Sequence, residues 1–175
     1  MFTIIKRVGV NVKYFGVKVK VLSEITQSMK GNPELLPFIK ISPAGYPVDR
    51  MEAPKGAFPM AEARTNIHNL SYKVVVITDE LFACPSILNF LLHHEDGHLA
   101  QMAFPGVTGH TVETAELLAD QWAIARCSRE EIMAAAYYLT IANGLLRKQL
   151  QLSHIREAIS VNIKRIQVLE DLIYS

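Results

Sequence analysis

Residues 91–101 read LLHHEDGHLAQ, which places three histidines and two acids among apolar neighbours. His94 and His98 are four residues apart, so on a helix they stack one turn above each other, ~6 Å apart, and can aim ring nitrogens at one cation at ~2.0–2.1 Å. Glu95 lies ~100° around such a helix from His94, near enough to reach a water on that cation without binding the cation itself. His93 would need a partner at position 97 and meets Gly97, so it is read as packing or as support for the ligands. A catalytic zinc keeps three protein ligands and an open position, so a third donor must come from elsewhere. The next acidic cluster, ETAELLADQWA at 113–123, offers Glu116. Asp120, one helical turn on, can accept a hydrogen bond from the far nitrogen of a ligand histidine and fix its tautomer. The competitor Glu113 has Leu117 at the corresponding position and no such support. The expected chemistry is metal-assisted hydrolysis with one Zn2+ per chain and Glu95 as general base. His68, His110, Tyr137 and Tyr138 are unranked candidates for stabilising an oxyanion or contacting substrate. Cys84 is either a silencing fourth ligand or a buried thiol.

The elements that must position these groups follow from pattern. Val8, Val10, Val12 and Tyr14 alternate with other residues, and after Phe15 and Gly16 so do Val17, Val19 and Val21, which predicts a hairpin. Between 31 and 59 lie six of the eight prolines and three glycines, which argues for a long loop or a flap with a short strand near 38–41. A short helix is expected at 59–69. The β-branched run YKVVVIT at 72–78 is the best buried strand. Pro85 opens a helix to about Ala103, and FPGVTG turns the chain. Thr111 caps a helix to about Cys127, and Ser128 with Glu131 has capping-box spacing for a third, ending near Asn143 and Gly144. Ile155, Ile159, Ile163, Ile166, Leu169 and Ile173 then mark one apolar stripe, for core or for a homo-oligomer contact through the C-terminal helix. The expected fold class is α+β: one domain over 1–175, mainly β and loops over 1–82, with a small antiparallel or mixed sheet, and mainly helical over 83–175.

Bulk composition narrows the function. Acids and bases are interspersed around a formal charge of +1, so no single-sign field marks a nucleic-acid or membrane partner. Two cysteines, Cys84 and Cys127, make no disulfide framework and fit a reducing compartment. With no signal pattern at the N-terminus and no apolar run of bilayer length, a cytoplasmic location is expected.

The pairing of His94-Glu95-Asp96-Gly97-His98 with Glu116-Leu117-Leu118-Ala119-Asp120 resembles the gluzincin metallopeptidases, and is most similar to small intracellular peptidases with HExGH followed by ExxAD. The resemblance covers about 72–127. It implies a zincin-like fold in which the strand before the active helix, at 72–78, borders the cleft and pairs with an extended substrate. It further implies His94, His98 and Glu116 as zinc ligands, Glu95 as base, Asp120 as the carboxylate that orients a ligand histidine, and Gly97 as a point of close approach. Asp96 departs from the pattern, which has an apolar residue there; either that face is wetter or Asp96 has a polar partner of its own. The expected activity is that of a zinc-dependent endopeptidase acting on a protein or peptide. The alternatives are a catalytically inactive zincin-fold protein serving as a protein-binding or structural module, and hydrolysis of a non-peptide amide.

Overall fold

A computed structural model describes residues 2–31, 39–66, 68–149 and 151–175. Helix α1 (Phe2–Met29) is followed by strands β1 (Val48–Met51), β2 (Ala61–Asn66) and β3 (Asn69–Thr78), and then by helices α2 (Asp79–Phe82), α3 (Pro85–Gln101), α4 (Val112–Ile124), α5 (Arg129–Leu146) and α6 (Ser153–Tyr174). The fold is α+β, with the helices packed about a three-stranded mixed sheet of order β1-β3-β2. β1 pairs parallel with β3, Val48 opposite Val75. β2 pairs antiparallel with β3, Ala63 opposite Val75.

α3 is the central element. Its apolar residues Ile87, Phe90, Leu91 and Leu99 are buried with Val75 and Ile77 of β3, Leu81 and Phe82 of α2, and Met133 and Ala134 of α5. Pro85 sits in its first turn, where the missing N–H has no helical acceptor in any case. The capping expectations hold in detail. Thr111 accepts from the Thr114 amide at the start of α4, and Ser128 with Glu131 forms a reciprocal capping box at the start of α5.

Four expectations are corrected. The predicted hairpin is α1: Tyr14, Val17, Val21 and Ile25, spaced three, four and four residues apart, are buried against the core. The valines that alternate along the sequence also satisfy helical spacing, and burial of this face overrides their β preference. The predicted helix at 59–69 is β2, whose Ala61, Ala63 and Thr65 are half-buried while Glu62, Arg64 and Asn66 are exposed, the period of two proper to a strand. Of the short strand placed at 38–41, residue 38 lies outside the described residues and Ile41 makes only an isolated bridge to Pro47; the strand forms later, at β1. In α6, Ile155, Ile159, Leu169 and Ile173 are buried as expected, but Ile163 is 49% exposed and Arg165 is 6% exposed. The apolar stripe therefore packs within the chain and carries a guanidinium inward with it.

Candidate metal centre

α3 hides an unusual load: His94, Glu95, Asp96 and His98 are all buried. The chain compensates each separately. Asp96 points away from the other three, toward the loop before β1, where Ser42 Oγ and the Ala44 amide (2.8 Å) both donate to its carboxylate. It thus has polar partners of its own. Gly97 makes room for α4, because a Cβ there would lie 2.9 Å from Ala119 Cα and 2.9 Å from Trp122 Cβ. Two helices meeting this closely set Glu116 and Asp120 opposite the histidines.

His94 Nδ1 lies 2.8 Å from Asp120 Oδ1. His98 Nδ1 lies against the Ala103 carbonyl. That carbonyl is brought back by Met102, which ends α3 in the left-handed region at φ 50° and lets the Ala103 amide bond the His98 carbonyl at 3.0 Å. A carbonyl and a carboxylate can only accept, so each ring carries its hydrogen on Nδ1 and turns its Nε2 lone pair the other way. The two Nε2 atoms face each other at 3.1 Å. Glu116 closes the triangle, Oε2 at 3.2 Å from His94 Nε2 and Oε1 at 3.4 Å from His98 Nε2. Donors held at ~2.05 Å from one tetrahedral cation stand ~3.3 Å apart; taking one atom from each of the three residues, all lie within 4.8 Å of one another, so the group could hold a metal ion. A convergence of lone pairs and a carboxylate is repulsive until a cation enters it. Burial and Arg165 push the His94 imidazole down, but Asp120 and Glu116 outweigh them and hold it up at about 9.

Arg165 of α6 completes the arrangement. Its Nε and one terminal nitrogen donate to the two Asp120 oxygens at 2.7 and 2.8 Å, and its other terminal nitrogen donates to Glu116 Oε2 at 2.7 Å. Burial alone would raise both acids, but Arg165 and the histidines draw Asp120 down to about 2 and Glu116 well below the usual carboxylate range. Glu95 accepts from the Ala63 amide of β2 at 2.7 Å, and its burial raises its carboxyl. With both imidazoles neutral and all three carboxyls ionised, three carboxylates and one guanidinium would leave two negative charges, which one divalent cation would neutralise.

The cluster opens on a cavity of about 310 Å³ whose walls include Ala63, Leu91, Tyr138, Leu139 and Asn162. The structure brings His94, Glu95, His98 and Glu116 together on this cavity and Asp120 directly behind His94. Tyr138 also reaches it, though its hydroxyl is already donated to the Pro59 carbonyl at 2.9 Å. The other oxyanion candidates lie elsewhere among the described residues. Tyr137 packs beside Lys18 of α1, His68 is exposed in the turn between β2 and β3, and His110, whose backbone carbonyl accepts from the Gly106 amide, lies in the α3–α4 turn. Cys84 is no fourth ligand: it stands at the start of α3, ten residues before His94 and ~15 Å along the helix. None of the described residues 39–59 lines the cavity, though the Phe58 ring stacks on Tyr138 of its wall. The strand at 72–78 is β3, paired on both edges, and it is β2 that borders the cavity.

Sequence reasoning missed Arg165 and the Ala103 carbonyl. The first had a faint signal, a base one turn before Leu169 on an otherwise apolar face; the second, a backbone group, had none. No protein-family model, no curated protein and no solved structure matches this chain.

Proposed function

We propose that the chain is a zinc-dependent peptidase of the gluzincin kind, with a zincin-like arrangement of β2, α3 and α4. The observation that carries this reading is the mutual approach of the His94 and His98 Nε2 atoms and the Glu116 carboxylate within 3.4 Å, with Glu95 on the same cavity. A bound Zn2+ supplies a water of lowered pKa and a Lewis acid toward the scissile carbonyl. Among the chain's own groups, Glu95 takes the proton of the attacking water on its carboxylate and returns it to the departing amine nitrogen. Asp120 keeps the His94 Nδ1 hydrogen in place, so that Nε2 stays free to bind. The β2 edge away from β3, which lines the cavity through Ala61, Glu62 and Ala63, is the rail for an extended peptide, with the Ala63 amide given to Glu95. Leu91, Leu139 and the Tyr138 ring give the cavity apolar walls for a side chain next to the cleaved bond.

Metal analysis coupled to digestion of a peptide library tests this. The parent is expected to hold about one equivalent of zinc and to cleave. Glu95→Gln is expected to keep the metal and lose at least ~100-fold in rate, and His98→Ala to lose the metal. Cleavage by Glu95→Gln at the parent's rate overturns the mechanism. Zinc retention with no cleavage by the parent favours the inactive, partner-binding zincin.

A further inference from the structure

α1 buries one face and exposes another. Val8, Val12, Phe15, Val19 and Leu22 step by four, three, four and three residues along its outer side, with Val12 68% and Phe15 69% exposed. The opposite side, through Tyr14, Val17, Val21 and Ile25, is fixed in the core, so the exposed row is a rigid ridge ~21 Å long. Charge on this helix is one-sided: Lys6, Arg7, Lys13, Lys18 and Lys20 stand against Glu24 alone. The whole chain carries only +1, so everything outside α1 is net negative. Around the helix axis, Lys13 and Lys20 fall ~120–140° to one side of the ridge, where they line a groove with Glu130 of α5, and Arg7 and Lys18 fall ~80–100° to the other, where the Lys18 ammonium lies 4.1 Å from the Tyr14 ring centroid. Lysine and arginine stems are long enough to bring their charges from there to the level of the ridge.

We propose that α1 lies flat on an anionic lipid surface, with Val8, Val12, Phe15 and Val19 in the acyl–headgroup boundary and the flanking bases among the phosphates. The chemistry of the ridge selects this occupant. A partner must offer an apolar strip with negative charge on both sides, and a sheet of anionic head groups over acyl chains has that composition everywhere. A second copy set ridge to ridge offers the opposite, bases against bases, over only two heptads where a coiled coil needs three or four. No helix among the described residues is long and apolar enough to cross a bilayer, so the contact is along the surface.

The test is flotation of the full chain with phosphatidylcholine vesicles, alone or with about a quarter phosphatidylglycerol. Recovery with the anionic vesicles is expected to exceed that with neutral ones by ~10-fold or more and to fall steeply with salt. Val12→Glu with Phe15→Glu is expected to abolish binding, and Lys13→Glu with Lys20→Glu to remove the anionic preference, both with an unchanged circular dichroism spectrum. Equal recovery on both vesicles, or undiminished binding by the Val12/Phe15 double variant, overturns the proposal. So does a dimer in sedimentation that the same double variant converts to monomer without any vesicle binding, or a complex with an acidic protein that forms at the expense of vesicle binding.

Discussion

α3 and α1 break the inside–outside rule in opposite directions. α3 takes two imidazoles and two carboxylates into the interior, whereas α1 leaves five large apolar side chains in water. Each departure costs free energy in the isolated chain; on the two proposals above, a cation would relieve what the chain's own groups leave of the first, and an apolar phase the second. The glycines show the same contrast. Gly97 is enforced by contact, since any side chain there strikes α4, while Gly9 and Gly16 would meet nothing with a Cβ added. On the two proposals, polar burial and apolar exposure are both addresses, the one for a ligand and the other for a surface.

Removing the Arg165 charge presses hardest on that comparison. Arg165→Met leaves buried Asp120 and half-buried Glu116 with the His94 imidazole as their one adjacent cationic partner, and is expected to destabilise the metal-free protein by ~2–4 kcal/mol in denaturant titration. Added zinc should recover part of this in the variant if the deficit of positive charge is what matters. An unchanged midpoint would show that the cluster is not electrostatically tense. Next in size is one substitution made on both helices. Gly97→Ala is expected to cost ~1–3 kcal/mol through overpacking against Ala119 and Trp122. Gly16→Ala is expected to stabilise by ~0.5–1 kcal/mol, because α1 there is regular helix open to solvent. Equal thermal shifts for the two would erase the contrast between contact and exposure.

The smallest effect concerns pH. Backbone and side-chain bonds to Ser128, with one from Asn89, hold the Glu131 carboxyl below its ordinary value despite partial burial. A depressed acid stabilises the fold above its unfolded pKa and loses that contribution as pH falls through the folded one. The parent should therefore exceed Glu131→Gln by ~0.5 kcal/mol above pH ~5, and the gap should close toward pH ~3. A gap that widened on acidification would reverse the sign and discard the cap as its cause.

Legibility in the sequence followed the range of the interactions. His94, Glu95 and His98 are placed by a single helix, and Glu116 and Asp120 by a second whose cap at Thr111 is written in adjacent residues, so periodicity and caps sufficed for all five. β3 was readable because its β-branched run is buried on both faces. α1 was not, since a valine-rich stretch satisfies a period of two and one of 3.6 at once, and only the core it packs on decides between them. AEARTN of β2 carried the alternation but in weak strand formers, so its pairing with β3 settles it. Arg165 lies 45 residues beyond Asp120, and no local pattern announces a partner at that separation.

The position of Arg165 on the last helix bears on how the protein is made. His94, His98, Glu116 and Asp120 all leave the ribosome before it does, so a nascent chain holds two acids and two imidazoles with no arginine among them until α6 docks. Docking of α6 is therefore the step that brings a guanidinium to these acids, and a chain arrested before residue 165 should be recognisable by its sensitivity to proteases.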